Sequence, residues 1–262
     1  MERYHPFRRG AAECVEMMDA NAMLPMLPPI KGFLSSTLID WKGKIASEIF
    51  ISGCNFRCPF CQNPKLALDD PSLPIYDHTK ILLYIISKWK WIDGVVISGG
   101  EPFSAEGIMN LLELFAEHKV NVKVDTNGSF PDLIREAIKQ GLISYISMDI
   151  KSDLSKYQEY LKADISGNVI MESISILMNS NIDHEFRTTV VPGIVNIDDV
   201  EKISRLIKGA RSYVLQQFNP KITLSWSFSK LQPFSGPQLE ELKKSAGKNV
   251  KTSLRGLEYG TK

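Results

Sequence analysis

The sequence predicts an α/β fold of parallel strands joined by helical crossovers, and three observations carry that expectation. Short apolar runs alternate with longer amphipathic stretches from Glu48 to Phe218, the pattern of strand–helix–strand units. The connections between them are short, which suits right-handed crossovers within one sheet. The 262 residues, 44% hydrophobic and 23% charged, are enough for one sizeable core. Six parallel strands are expected from Glu48 onward, too few to close an eightfold barrel.

The elements follow in chain order. Residues 1–29 form an N-terminal extension in which Gly10–Met23 reads as a short amphipathic helix ended by Pro25, Pro28 and Pro29. Cys14 on that helix reads as a small apolar side chain. Ile30–Lys44 reads as a hairpin turning near Asp40–Gly43, and Glu48–Ser52 as the first core strand. Helices are then expected over Asp77–Trp89, Ala105–His118, Pro131–Gln140, Val169–Met178 and Ile197–Lys208. The strands between and after them are Gly94–Ser98, Asn121–Asp125, Ser144–Asp149, His184–Val191 and Arg211–Phe218. The expected organisation is an extension over 1–29, a main domain over 30–232, and a C-terminal helix and tail over 233–262 packed on it.

Chemistry concentrates in the run Ser52–Pro64, which places Cys54, Cys58 and Cys61 in a C-x3-C-x2-C spacing directly after an apolar strand. Three thiolates on one Pro- and Gly-bounded loop can converge on a metal centre. Zinc is the rival reading, but a structural zinc site wants four ligands. The remaining cysteine, Cys14, and the four histidines lie outside the loop. A dithiol redox motif would use only two of the three cysteines.

Polar motifs fall at the expected C-terminal ends of the strands, where barrels of parallel strands gather their chemistry. Gly99-Gly100-Glu101-Pro102 ends one strand, and its paired glycines let backbone approach a ligand closely. Asp125-Thr126-Asn127-Gly128 ends the next, with an Asx turn as the plain alternative. Asp149 and Lys151, two apart, share a face, either toward a pocket or at the strand's solvent end. Arg187 interrupts an apolar strand, where a charge needs a partner. Gln217 ends the last.

The C-x3-C-x-aromatic-C signature, with Phe60 before Cys61, resembles that of radical S-adenosylmethionine (SAM) enzymes. The run Gly32–Lys44, Asn63-Pro64 and the Arg187–Gly193 pattern resemble the activating enzymes of glycyl-radical proteins, most of all those of anaerobic ribonucleoside-triphosphate reductase. Many of these carry His at the position of Gln62, a departure that spares the ligand set but bears on the environment beside the cluster. The resemblance implies a partial (βα)6 TIM-type barrel and a [4Fe–4S] cluster on Cys54, Cys58 and Cys61 with one iron open to SAM. It implies SAM contacts from Gly99, Gly100, Glu101, Asp125, Thr126 and Asn127. Asp149 and Gln217 would reach the ribose, Lys151 or Arg187 the carboxylate, and Phe60 the adenine, with an ion pair as the alternative for Arg187 and a cover for the cluster as that for Phe60. The implied chemistry is reductive cleavage of SAM and hydrogen abstraction, with no side-chain general base.

A glycyl-radical enzyme is the expected partner, with a flavodoxin or ferredoxin-type electron donor. A small molecule or a tRNA base is the alternative substrate. The formal net charge of +1 gives no electrostatic footprint for nucleic acid or an anionic membrane. The apolar run Ile81–Ile86 is too short to span a bilayer. Cysteines clustered as ligands rather than paired as disulfides suit a cytoplasmic setting.

Overall fold

A computed structural model describes residues 26–88, 90–162 and 164–257. The expected helix over Gly10–Met23, Cys14 and Trp89 lie outside the described residues. One sheet organises the chain. Strand β1 (Ile30–Thr37) runs antiparallel to β2 (Ala46–Ile51). Then β3 (Gly94–Gly99), β4 (Val122–Thr126), β5 (Tyr145–Asp149), β6 (Asp183–Val190) and β7 (Tyr213–Gln217) follow in sequence order, each parallel to the one before. The six strands read from the alternation are β2 to β7. A further strand, β8 (Thr252–Arg255), adds parallel to β7. The sheet order begins at β1 and ends at β8, so the barrel is open between those edges.

Two details differ from the sequence reading. The hairpin expected within Ile30–Lys44 is formed instead by β1 and β2, with Ile30 opposite Ile51 and Thr37 opposite Ala46. The turn between them is pinned by the Thr37 hydroxyl, which donates to Asp40, and by Lys44 N, which donates to the Trp41 carbonyl. The expected tail after residue 233 supplies a helix and also β8, a four-residue, half-exposed strand with no apolar run to announce it.

The helices are α1 (Pro64–Ala67), α2 (His78–Ser87), α3 (Ile108–Glu117), α4 (Pro131–Lys139), α5 (Tyr157–Leu161), α6 (Gly167–Met178), α7 (Ile197–Leu206) and α8 (Gly236–Ala246). Helix α3 starts later than periodicity suggests because Pro102–Ser104 forms a 3-10 turn and Gly107 takes a left-handed φ of 82°. Helix α7 opens on a reciprocal cap between Asn196 and Asp199, which satisfies two otherwise orphan amides.

Strand alternation sorts the side chains into two layers. Outward residues such as Ile97, Val124, Ile146 and Phe186 are fully buried and form the main apolar core. At ~1.5–3 kcal/mol for each fully buried large apolar side chain, this layer dominates stability. Inward, a small plug of Trp41, Ala46 and Val96 with Tyr145 lies near the N-terminal ends of the strands. The inward positions beyond it are mostly polar and, with Phe50, surround a cavity of about 920 Å³.

Candidate functional site

The cysteine loop crosses the C-terminal end of β2 and is tied down at several points. Gly53 N donates to Leu66 O, Arg57 N to Leu161 O, and Ser225 N to Pro59 O. Phe56 is buried edge-on to Tyr157, with ring centroids 6.1 Å apart. Tyr157 also accepts from Lys151 N at 2.9 Å, so one aromatic residue braces both the cysteine loop and the end of β5. The Arg57 guanidinium donates to the Cys54 and Phe56 carbonyls. With the loop anchored this way, Cys54, Cys58 and Cys61 all face the cavity as free thiols.

That donor set suits an iron–sulfur cluster. Three soft thiols share one wall, and no group of three His, Cys, Asp or Glu side chains among the described residues is placed to hold a single metal ion. A tetrahedral zinc would need such convergence and a fourth ligand, whereas a cluster spreads its thiolates around several irons. Burial pushes the Cys54 thiol up to about 11 and Cys58 to about 12, so a metal must displace their protons on binding.

The Gly-Gly-Glu-Pro loop is built against this loop. Gly99 has a φ of +120°, and a Cβ there would stand 2.1 Å from the Ile51 carbonyl oxygen; at Gly100 it would stand 1.9 Å from that of Gly53. The glycines are thus required first by the chain's own backbone: Gly100 N donates to Ile51 O and Glu101 N to Gly53 O. Glu101 does not line the cavity. Its fully buried carboxylate accepts from Thr126 Oγ1 at 2.8 Å, Asn127 N at 2.6 Å and Phe103 N at 3.1 Å. It therefore locks the loop after β3 to the loop after β4. Burial raises this carboxyl to about 7, against those hydrogen bonds.

Asn127 continues the bracing. Its Nδ2 donates to Asn55 Oδ1 at 3.0 Å, and Asn55 Nδ2 donates to Ser129 Oγ at 2.9 Å. Thr126 and Asn127 reach the cavity wall; their hydrogen bonds serve these joints, and Asn127 Nδ2 also donates to Cys54 Sγ at 4.0 Å. The Asx turn is present as well, with Ser129 N donating to Asn127 Oδ1.

Across the inward face runs a chain of alternating charge. Arg187 donates through NH1 to Asp125 at 2.7 Å and through Nε to Asp149 at 2.8 Å. Lys151 closes on Asp149 at 2.9 Å and Lys123 on Asp125 at 2.7 Å. Asp149 and Lys151 do share a face, toward the cavity, and Arg187 both lines the cavity and forms ion pairs. Burial alone would raise the Asp149 carboxyl, but Arg187 and Lys151 outweigh it and hold the group below the usual carboxylate range. Asp125 is lowered in the same way, burial opposing and Arg187 and Lys123 prevailing. Two carboxylates thus share three cations, of which Lys151 and Arg187 line the cavity, groups that can pair with a carboxylate-bearing ligand.

Gln217, like Glu101, departs from the sequence reading, and Lys123 and Glu48 were missed. Gln217 does not line the cavity; alternation turns it outward, where Nε2 donates to Phe234 O, and Gln216 is the one that faces in. Phe60 lines the cavity while packing on Phe228, with centroids 6.5 Å apart. Lys123 is only 2% exposed and Glu48 6%. The inward spacing of Glu48, Lys123 and Asp125 along strands was the available signal. Glu48 accepts from Ser98 at 2.7 Å; burial, with added repulsion from Asp40 and Asp125, raises it from 4.5 to about 7.

A model of the radical SAM superfamily matches residues 49–207. A Methanocaldococcus jannaschii protein assigned as a glycyl-radical enzyme activating enzyme, MJ1227, is 33% identical over 226 residues, covering 84% of this chain and 92% of that protein. The pyruvate formate-lyase-activating enzyme of Clostridium pasteurianum is 24% identical over 85% of this chain and 95% of its own. Among solved structures, Streptococcus suis SuiB bound to S-adenosylmethionine shares the fold at a TM-score of 0.60 and 14% identity, over 78% of this chain and 48% of that one. The family match runs from within β2 to the end of α7, the span that carries the thiols and the charged wall, and the chain belongs to the radical SAM superfamily, enzymes that use a [4Fe–4S] cluster and SAM.

Proposed function

We propose that this radical SAM enzyme activates a glycyl-radical enzyme by taking one hydrogen atom from a glycine Cα of that partner. The observation that carries the reading is the likeness to an activating enzyme across 84% of this chain and 92% of the relative. When bound, the cofactors supply one-electron cleavage of the SAM carbon–sulfur bond, giving methionine and a 5′-deoxyadenosyl radical as the hydrogen acceptor.

The chain's own residues then have assigned tasks. Cys54, Cys58 and Cys61 hold the cluster. Backbone of Gly99 and Gly100 receives the SAM amino group, Asp149 the ribose, and Lys151 or Arg187 the carboxylate; Gln216 takes the ribose role first read for Gln217. Phe60 flanks the adenine, and Asp125 orients Arg187. Glu101, Thr126 and Asn127 hold the binding loops together. The opening between β1 and β8 supports a polypeptide substrate, since Leu34 on one edge and Leu254 on the other line the same cavity. The Gly32–Lys44 likeness favours a partner of the anaerobic ribonucleotide reductase kind. A flavodoxin or ferredoxin-type donor supplies the electron. No described helix is long and apolar enough to cross a membrane.

The test mixes anaerobically reconstituted, reduced, SAM-loaded protein with candidate partners and records electron paramagnetic resonance spectra. A glycyl doublet on the partner is expected, together with 5′-deoxyadenosine; Cys58→Ala should abolish both along with iron uptake. If 5′-deoxyadenosine forms only when a small molecule or an RNA is supplied, the activase reading falls.

A further inference from the structure

One donor beside the cysteine loop has nothing to bind. Gln62 follows Cys61 directly and lines the same cavity, and its Nε2 is buried without a hydrogen-bond partner. A buried amide N–H without an acceptor costs about 1–3 kcal/mol, and native proteins keep few of them. Acceptors on the same cavity lining have partners of their own. The Cys54 and Phe56 carbonyls take the Arg57 guanidinium, and the Asp149 carboxylate takes Arg187 and Lys151. What this wall lacks is an acceptor that arrives with the cofactor. A cluster carried by Cys54, Cys58 and Cys61 brings anionic sulfur to the residue next to Gln62.

We propose that Gln62 donates its side-chain amide N–H to a sulfur of the bound cluster and thereby raises the cluster's reduction potential. The inference rests on the cluster assignment, not on the identity of the substrate. The physical basis is direct: reduction adds negative charge to the cluster, and a fixed donor at its sulfur stabilises the reduced form more than the oxidised one. The donor sits on an anchored loop, because Cys61 N is bonded to Cys58 O and the following helix α1 begins at Pro64. A His at this position would also offer an N–H donor.

The experiment compares the wild type with Gln62→Leu and Gln62→His, each reconstituted anaerobically and assayed for iron and sulfide. The fraction of reduced cluster is followed by electron paramagnetic resonance against ambient potential. For Gln62→Leu the reduced-to-oxidised ratio at the wild-type midpoint should fall about tenfold, equal to about 59 mV for one electron; Gln62→His should stay near the wild type. An unchanged midpoint in a fully loaded Gln62→Leu protein overturns the proposal. Should Gln62→Leu take up no iron while Gln62→His loads normally, the midpoint of Gln62→Met decides in its place, a value below the wild type supporting the proposal and an unchanged one overturning it. Loss of iron in both would point to side-chain shape and overturn it. Melting of the metal-free proteins separates a structural role. With no partner to lose, Gln62→Leu should melt no lower than the wild type, and a lowered melting temperature counts against the proposal.

Discussion

The two faces of the same strands do opposite work. On β4, β5 and β6 the outward side chains Val124, Ile146 and Phe186 are fully buried against helices, while one residue along, Asp125, Ser147 and Arg187 face inward. A packed eightfold barrel fills its interior with branched apolar side chains. Here the packed apolar plug lies around Trp41, and beyond it charged residues, with apolar ones such as Phe50 and Phe60, line an open cavity. The comparison teaches that this fold stores its stability outside the sheet and leaves the inside free for a cofactor and a substrate.

Breaking the outer face should cost most. Phe186→Ala removes a fully buried ring from the main core and should destabilise the metal-free protein by about 3–5 kcal/mol in denaturant unfolding. If it costs less than 1 kcal/mol while Arg187→Ala costs more, the division between the faces is wrong.

The inner face should cost less, and its cost should depend on pH. Arg187→Ala leaves Asp125 and Asp149 facing each other with only lysines as partners. A loss of about 2 kcal/mol at pH 7 is expected, below the 3–5 kcal/mol of a dry pair because the cavity admits water. The two carboxyls are lowered in the fold. Their contribution is therefore present above the ordinary carboxylate range and lost as pH falls through and below it. The variant should lose less stability than the wild type on acidification. Equal acid sensitivity of the two proteins would show that the ion-paired chain contributes nothing to the fold.

The smallest effect concerns Glu48, whose carboxyl is raised from 4.5 to about 7 chiefly by burial. The folded state binds a proton more tightly than the unfolded state, so stability is lost as pH rises between those values. Glu48→Gln keeps an acceptor for Ser98 and removes the charge. It should match the wild type near pH 4 and exceed it by about 1–2 kcal/mol at pH 8. Melting curves that run parallel across this range would refute it.

Much of this was legible in the sequence because short-range pattern and chemistry coincide. A period of two marks strands and fixes which residues share a face, which is why Asp149 with Lys151 could be read together. Gln217 went astray for the same reason in reverse: a terminal pair of glutamines offers both faces, and only packing decides which turns inward. Strand β8 was hidden because a short strand such as Thr252–Arg255, half exposed at a sheet edge, needs no apolar run. Glu48 was passed over because a single acid near a strand start looks like solvent-facing polarity until the opposite strands are in place.

By itself the sequence determined the three-thiol loop, the succession of parallel strands and the polar motifs at their ends, since each is set by residue type and spacing within a few positions. Only the tertiary structure decided the joints. It showed that Gly99 and Gly100 are needed for backbone contact with Ile51 and Gly53, and that Glu101 is a brace. It also showed that Asp125, Arg187 and Asp149 form one charged chain, and that Gln62 holds an unspent donor. The reason is physical: a hydrogen bond or ion pair depends on where two distant segments meet in three dimensions, and residue spacing carries no record of that meeting.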